Sequence, residues 1–290
     1  MDIKLIATDM DGTLLSSDKK LTERTIRALT EADQRGIHVV LATGRTFQGL
    51  DAYTKILPFV RYYITVNGSY VWDAKADTAL YSATIPIERG IEIISYLKKY
   101  ETMNDCYIDG QGWIDQRYLD NIHDYIADEE VVRLVRYTRI GLEDYLGHVR
   151  QLGRGIQKVQ LYFSDLDKRS LAIQELQSAF GDIAVTWSLP NNVELNIAAA
   201  NKGRALKVLC EHLNIDIRDA IAFGDGLNDR TMLLEAGYSV AMENGIEDIK
   251  SVADYVTDNN DEEGVARAIE KLVLRHRARR LAGNDWIVFS

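Results

Sequence analysis

The stretch IATDMDGTLL, residues 6–15, decides how the rest of the chain is interpreted. An apolar run typical of a buried strand leads into two aspartates, Asp9 and Asp11, and then into Gly12. Aspartate and glycine after a strand are ordinary turn residues. In an open parallel sheet, however, ligands bind outside the carboxyl ends of the strands, so these two carboxylates are also candidates for chemistry.

Strand-like and helix-like segments alternate on both sides of this stretch. The first three strand patterns are joined by two helix patterns, and they are IKLIAT (3–8), IHVVLAT (37–43) and YYITVNG (62–68). After Asn201 the same alternation resumes. The pattern predicts right-handed βαβ units that form a parallel sheet covered on both faces.

The segment between these two parts has a different texture. Its strand patterns QKVQLYF (157–163), IAVTWS (183–188) and VELNI (193–197) alternate apolar and polar residues, which indicates a sheet with one exposed face. The predicted fold class is therefore α/β, with a Rossmann-like parallel-sheet core and an inserted α+β cap domain. The predicted domains are a core of residues 1–83 and 190–290 and a cap of residues 84–189.

Composition excludes several classes of function. The net charge of −10 argues against a nucleic-acid backbone as the main ligand, because that ligand requires a basic surface. No uncharged apolar run is long enough to span a membrane and the N-terminus lacks a signal-peptide pattern, so we expect a cytoplasmic protein with no membrane partner. Cys106 and Cys210 have neither disulfide nor zinc-site spacing. The basic run RHRARR (275–280) is interpreted as a solvated helix end rather than a binding patch.

Four polar groups of residues follow strand patterns or open a helix pattern at the same predicted sheet edge. They are Asp9–Thr13, Thr43–Arg45, Lys202 and Asp225–Asp229. At an effective dielectric near 20, two close carboxylates repel by about 4 kcal/mol, so folding alone would not retain the four aspartates of these groups in one place. A Mg²⁺ ion takes carboxylate and phosphate oxygens as ligands, and it would relieve that repulsion.

The neighbouring groups indicate an anion beside the metal ion. The hydroxyl of Thr43, the amide of Gly44 and the side chains of Asn228 and Lys202 are hydrogen-bond donors. The N-terminus of a helix adds a favourable dipole for a negative ligand. Metal ligands and anion donors together predict that a phosphate binds here.

This set of motifs resembles the haloacid dehalogenase-like phosphatases. The motifs are DMDGT (9–13), TGR (43–45), NKGRAL (201–206) and GDGLND (224–229), in this order. The large insert between the second and third motifs resembles the Cof-type branch of that family. One departure is the segment ELNIAAANKG (194–203), which has three alanines where a Pro-rich turn is common in the branch, so the path of the loop before Lys202 is open.

The resemblance implies a role for each matching residue. Asp9 is expected to attack phosphorus and form an aspartyl-phosphate, and Asp11 to act as general acid and base. Mg²⁺ is expected to bind the carboxylates of Asp9 and Asp225 and the main-chain carbonyl of Asp11, with Asp229 orienting waters around the ion. Arg45 is either a helper at this site or a surface ion-pair partner. The expected phosphate ligands are Thr43, Asn228, Lys202 and the amides of Met10 and Gly44.

The favoured function is a Mg²⁺-dependent phosphatase that acts on a small phosphorylated metabolite, with a sugar phosphate as the favoured substrate. A sugar phosphomutase with the same core is one alternative, and a catalytically silent phosphometabolite-binding module is another. A mutase requires cap arginines to hold a bisphosphate, and the candidates are Arg133, Arg136, Arg139, Arg150 and Arg154. The cap residues considered for substrate contact are Asp109, Trp113, Tyr118, His123 and Tyr162. The sequence leaves the oligomeric state open.

Overall fold

The computed structural model describes residues 2–274, and the first part of the chain builds one half of a large sheet. Its elements are β1 (Leu5–Thr8), α1 (Glu23–Gln34), β2 (His38–Ala42), α2 (Asp51–Ile56), β3 (Tyr62–Thr65), β4 (Tyr70–Asp73) and β5 (Thr78–Ser82). Thr22 caps α1 by accepting a hydrogen bond from the amide of Thr25, and the chain leaves the helix at Gly36, which has a φ of 76°. A threonine N-cap and a glycine just beyond the last turn are common boundaries of helices.

The middle of the chain builds a second, smaller sheet and its helices. These elements are α3 (Ile87–Leu97), β6 (Thr102–Ile108), β7 (Gln111–Asp115), α4 (Gln116–Asp120), α5 (Glu129–Thr138), β8 (Arg139–Leu142), α6 (Tyr145–Leu152), β9 (Lys158–Phe163), α7 (Leu166–Ala179), β10 (Ile183–Thr186) and β11 (Asn192–Ile197).

The last described part of the chain returns to the large sheet. Its elements are α8 (Lys202–His212), β12 (Ala220–Gly224), α9 (Arg230–Glu235), β13 (Tyr238–Met242), α10 (Glu247–Lys250), β14 (Tyr255–Thr257) and α11 (Gly264–Ala268). The basic run at residues 275–280 lies outside the described residues. Among the helices of residues 2–274, none combines the length and the apolar composition that crossing a membrane requires.

The large sheet has eight strands in the order β14-β13-β12-β1-β2-β3-β4-β5. The strands from β14 to β3 are parallel, and β4 and β5 extend the sheet in antiparallel fashion. β1 lies in the middle and is hydrogen-bonded to β2 on one side and to β12 on the other. The carboxyl ends of these three strands therefore meet at one edge, and the predicted α/β class with a parallel-sheet core is confirmed.

Helices cover both faces of the large sheet, which explains why its central strands are apolar throughout. On one face, Ile6 of β1 belongs to an apolar cluster that includes Leu29 of α1. On the other face, Leu5 belongs to a cluster that includes Leu206 of α8. All four residues of β1 are buried, so the residues that follow β1 start from a fixed position.

The smaller sheet has six strands in the order β10-β11-β9-β6-β7-β8, which are antiparallel apart from the pair β7 and β8. One face packs apolar residues against α3, α6 and α7. The other face carries polar residues that are also buried, among them Lys158, Gln160 and Glu194. The prediction that one face of this sheet is exposed is therefore wrong. The polar face lies over the strand ends of the large sheet, where Lys158 contacts Gly44.

The strand β11 pairs with β9 and β10, so it belongs to the smaller sheet. The predicted boundary at residue 190 cuts through that sheet, and we propose instead that the second segment of the core begins after Ile197. The division of the chain into a core and a cap otherwise stays a prediction.

Candidate active site

Two of the aspartates expected in the site follow neighbouring strands. Asp9 comes directly after β1 and Asp225 directly after β12, and these strands pair in parallel. One carboxylate oxygen of each of Asp9, Asp225 and Asp229 lies within 4.8 Å of the other two. The topology of the sheet thus gathers into one cluster residues that are far apart in the sequence.

Lys202, the first residue of α8, brings a positive charge to this cluster. Its Nζ atom donates hydrogen bonds to Oδ1 of Asp9 at 2.5 Å and to Oδ1 of Asp229 at 2.6 Å, and its side chain is wholly buried. The start of α8 can approach because a Cβ atom at Gly68, which has a φ of +91°, would lie 2.3 Å from the carbonyl carbon of Asn201. The three alanines before Lys202 do not move it away from the cluster.

The electrostatics of the cluster fit a divalent cation. Burial and the charge of Asp229 raise the pKa of Asp9 well above its ordinary value. Burial and Asp229 likewise raise the pKa of Asp225 to about 6. Burial works against the charge of Lys202, but Asp229 and Asp9 outweigh it and raise its pKa. Three carboxylates face one ammonium group, and an all-oxygen donor set with excess negative charge is what a hard ion such as Mg²⁺ prefers.

Both carboxylate oxygens of Asp229 already have partners inside the protein. Oδ1 accepts from Lys202, and Oδ2 accepts from the amides of Asp225 and Gly226, both at 3.0 Å. Asp225 accepts one hydrogen bond from Thr13 at 2.7 Å. This distribution leaves Asp9 and Asp225 better placed than Asp229 to bind a metal ion directly.

The carboxylate of Asp11 is held by two cations. Arg45 donates from Nε to Oδ2 at 2.8 Å and from Nη2 to Oδ1 at 2.6 Å, and Lys19 lies 3.0 Å from Oδ1. Burial would raise the pKa of Asp11, but the hydrogen bonds and charge of Arg45 outweigh it and lower the pKa to about 2. Arg45 is therefore an ion-pair partner within the site, and Asp11 is ionised in this arrangement.

The expected phosphate ligands surround the same space. Thr43 and Gly44 follow β2, and Thr43 is nearly fully buried, with its Oγ1 accepting a hydrogen bond from the amide of Arg45 at 3.1 Å. Asn228 donates from Nδ2 to Oδ1 of Asn67 at 3.2 Å. We call Thr43, Gly44 and Asn228 the anion cradle. The side chain of Met10 is buried in the apolar core, which leaves its main chain for the site.

Asp9, Asp11 and the anion cradle line one cavity of about 1050 Å³ between the two sheets. The opposite wall is formed by the polar face of the smaller sheet, including Lys158, Gln160 and Glu194. These three residues are not among the site residues predicted from the sequence. The polar alternation within β9 and β11 marks one polar face of the smaller sheet, but it does not distinguish a face that meets water from one that meets the core.

The cap residues suggested from the sequence divide into those that line the cavity and those that do not. Among the arginines, the described wall of the cavity includes Arg133 and Arg139 but not Arg136, Arg150 or Arg154. Arg139 is itself paired with Asp105, at 3.0 Å. Among the other candidates, Tyr162 lines the cavity, whereas Asp109, Trp113, Tyr118 and His123 are absent from its described wall.

Known proteins resemble this chain in sequence and in fold. The family model described as haloacid dehalogenase-like hydrolase matches residues 6–269. The phosphatase YwpJ of Bacillus subtilis (strain 168) is 33% identical over 288 residues, which cover 93% of this chain and 100% of that relative. The 5-amino-6-(5-phospho-D-ribitylamino)uracil phosphatase YcsE of the same organism is 30% identical over 277 residues, which cover 94% of this chain and 97% of that relative. A solved haloacid dehalogenase-like hydrolase from B. subtilis superimposes with a TM-score of 0.80 at 30% identity, covering 93% of this chain and 100% of that one.

Proposed function

Because the chain belongs to the family of haloacid dehalogenase-like hydrolases, we propose that it is a Mg²⁺-dependent phosphatase that works through an aspartyl-phosphate on Asp9. The family resemblance read from the motifs is confirmed, and the enzyme class is confirmed at the level of the family, since the relatives compared are phosphatases. The observation that carries the proposal is the position of Asp9, which faces the cavity beside Lys202 and Asp225.

The residues of the site divide the reaction into two displacements at phosphorus. An oxygen of Asp9 forms a bond to phosphorus while the bond to the leaving alcohol oxygen breaks, and water then displaces the Asp9 oxygen from phosphorus. Asp11 gives a proton to the leaving alcohol and later takes one from the attacking water. Since Arg45 favours the ionised form of Asp11, substrate binding must loosen this ion pair before Asp11 can carry the proton it donates.

The remaining groups hold the phosphate and balance its charge. Thr43, Asn228 and the amides of Met10 and Gly44 donate hydrogen bonds to phosphate oxygens. Lys202 stabilises the negative charge that develops during transfer. Asp9, Asp225 and the main-chain carbonyl of Asp11 would hold Mg²⁺, and the bound ion would supply positive charge to neutralise the phosphate oxygens. Asp229 keeps Lys202 and the loop at Asp225 in place and orients waters around the ion.

A phosphorylated sugar or polyol is the substrate class that the cavity favours. Beyond the two residues that reach the anion cradle, its cap wall includes Arg133, Gln160 and Tyr162, whose side chains can form hydrogen bonds with hydroxyl groups. A volume of about 1050 Å³ also leaves room beyond a hexose phosphate. We place the protein in the cytoplasm, since Cys106 and Cys210 are both buried free thiols, which suit a reducing compartment.

The two alternatives from the sequence have weaker support. A sugar phosphomutase must hold a bisphosphate while it turns over, and three of the five candidate arginines lie away from the described cavity wall. Arg154, for example, pairs with Asp109, and Arg136 donates to the main-chain carbonyl of Leu119 at 3.3 Å. A silent binding module would have no reason to retain Asp9 and Lys202 as a buried pair beside Asp225.

A phosphate-release panel tests the proposal. The wild type would be assayed with Mg²⁺ and with chelator. The panel would contain sugar phosphates, nucleotides, cofactor phosphates and 5-amino-6-(5-phospho-D-ribitylamino)uracil, the compound in the name of the relative YcsE. We expect release with Mg²⁺, loss of release with chelator, and loss in Asp9→Asn. Asp248→Asn, which changes an exposed carboxylate, is the matched control and should keep full activity. Turnover by Asp9→Asn, or full turnover in chelator, would contradict the proposal.

A further inference from the structure

The polar face of the smaller sheet reaches the anion cradle through two buried side chains. Lys158 of β9 donates from Nζ to the main-chain carbonyl of Gly44 at 3.0 Å. Glu194 of β11 accepts a short hydrogen bond from Nδ2 of Asn67, which belongs to the turn after β3. Lys158 and Glu194 also pair with each other at 3.3 Å, and each side chain is only 3% exposed. One buried ion pair of the cap thus touches two loops of the core.

The first of these contacts acts on Thr43. The carbonyl of Gly44 and the amide of Arg45 belong to the same peptide unit. The ammonium group of Lys158, bound to that carbonyl, therefore fixes the orientation of the peptide unit and makes its amide a stronger hydrogen-bond donor. That amide donates to Oγ1 of Thr43 at 3.1 Å. Because the hydroxyl oxygen is then an acceptor, its own hydrogen is left to be donated into the cavity.

The second contact acts on Asn228. Asn67 donates to Glu194 through Nδ2 and accepts from Nδ2 of Asn228 through Oδ1, at 3.2 Å, so Glu194 fixes which way the amide of Asn67 points. This leaves the second Nδ2 hydrogen of Asn228 for a ligand in the cavity. Glu194 is well supported as a carboxylate: burial would raise its pKa, but the charge of Lys158 and the hydrogen bonds from Asn67 and Ser188 lower it.

The turn that carries Asn67 has a strained backbone and is tied to the cradle. Val66 and Asn67 both adopt the left-handed region, with φ values of 52° and 57°, which is unfavourable for a β-branched residue such as valine. The amide of Val66 donates to the carbonyl of Arg45 and the amide of Asn67 to that of Thr43, both at 3.0 Å. A Cβ atom at Gly44 would lie 2.8 Å from Oδ1 of Asn67, so the two loops are in direct contact.

We propose that Lys158 and Glu194 are positioning residues for phosphate binding, which orient the hydroxyl of Thr43 and the amide of Asn228 from the cap side. The inference rests on the proposed function, because it assumes that these two groups bind phosphate. If Lys158 and Glu194 have this role, Thr43 and Asn228 are oriented for phosphate only when the polar face of the smaller sheet contacts the anion cradle. The cap then serves phosphate binding itself, independently of the leaving group.

The affinity for inorganic phosphate tests this inference without reference to any leaving group. Lys158→Met/Glu194→Leu removes both charges together, so no buried charge is left unpaired. In calorimetric titrations with inorganic phosphate and Mg²⁺, we expect the dissociation constant of this variant to rise at least tenfold. The value of kcat/KM should fall by a similar factor for every substrate that the wild type hydrolyses, which separates positioning from a contact to one leaving group.

Tyr137→Phe is the matched control, because it removes another hydrogen bond between cap and core. The hydroxyl of Tyr137 donates to Asp51 at 2.6 Å; both residues line the cavity, but this hydrogen bond involves no residue of the anion cradle. We expect this variant to bind phosphate within twofold of the wild type. If the double variant does not fold, Glu194→Gln replaces it, since this change keeps an acceptor for Asn67 but removes the charge that holds Lys158. Its dissociation constant for phosphate should rise at least threefold.

The outcomes separate this inference from the proposed function. A folded double variant that binds phosphate within twofold of the wild type would overturn the inference while leaving a phosphatase. Equal weakening by Tyr137→Phe would also overturn it, since any loosening of the cap would then have the same effect. A wild type that hydrolyses none of the panel and binds no phosphate would contradict the proposed function, and the inference with it.

Discussion

The substitution Asp225→Asn should make the metal-free protein more stable while it removes activity. Burial and the charge of Asp229 raise the pKa of Asp225 from 3.8 to about 6. A carboxylate with that pKa destabilises the fold by about 3 kcal/mol once it is ionised. Since Asp225 is partly exposed, we expect Asp225→Asn to raise the free energy of unfolding by about 2 kcal/mol. Asparagine keeps an oxygen acceptor for Thr13 and carries no charge.

The sign of the effect depends on pH and on the metal ion. The folded-state pKa of Asp225 is raised, so the wild type loses stability as the pH rises from about 4 through about 6. In urea unfolding with chelator, Asp225→Asn should therefore be more stable at pH 8 and equal to the wild type near pH 4. Adding Mg²⁺ should stabilise the wild type by mass action and the variant much less.

An aspartate with a lowered pKa provides the control for this prediction. Hydrogen bonds from Arg61 lower the pKa of Asp73 to about 2, so Asp73→Asn should destabilise the protein at pH 7 by about 1 kcal/mol. The contribution of Asp73 is present above about pH 4 and is lost as the pH falls toward about 2. An Asp225→Asn protein that is no more stable than the wild type at pH 8 in chelator, or equal stabilisation of both proteins by Mg²⁺, would contradict this prediction.

Two further substitutions test how the site is built. Lys202→Met leaves Asp9 and Asp229 buried without their counter-charge, so we expect the free energy of unfolding in urea to fall by about 3–5 kcal/mol at pH 7 and by less at pH 5. The rate of phosphate release should fall by at least about 100-fold. Retained activity in a folded Lys202→Met protein would show that Lys202 does not act on the phosphate. Gly68→Ala places a Cβ atom against Asn201 and should lower the free energy of unfolding by more than about 2 kcal/mol. The control is Gly110→Ala, at a glycine with a similar φ but no atom within 4 Å of the added Cβ, which should lower it by about 1 kcal/mol. Equal costs in thermal unfolding would show that the close approach at Gly68 is unimportant.

The fold and the acidic cluster could be predicted from the sequence because parallel sheets obey a simple geometric rule. Residues after neighbouring parallel strands meet at one edge, so Asp9 and Asp225 could be placed together without any knowledge of side-chain positions. The same rule located Thr43 after β2. It did not predict that the carboxylate of Asp11 pairs with Arg45, because that depends on the side-chain conformations of both residues.

The cap wall of the cavity could not be predicted in the same way. Alternating polar residues in β9 and β11 look the same in a sequence whether the polar face meets water or another domain. Lys158 and Glu194 are buried because the smaller sheet is seated on the core, a long-range contact that the local pattern does not encode. The boundary that we propose after Ile197, in place of one near residue 190, depends on a related long-range contact, since β11 leads directly toward Lys202 yet pairs with the smaller sheet.

Direct detection of the covalent intermediate tests the central claim, that Asp9 is phosphorylated during turnover. Wild-type protein mixed with Mg²⁺ and the best substrate of the panel would be quenched in acid and reduced with borohydride, which converts an aspartyl-phosphate to homoserine. Peptide mass spectrometry should find homoserine at position 9 in the complete reaction, and aspartate there when substrate is omitted or chelator is present. Rapid turnover with position 9 remaining aspartate at every quench time, or modification of another residue in its place, would contradict the account.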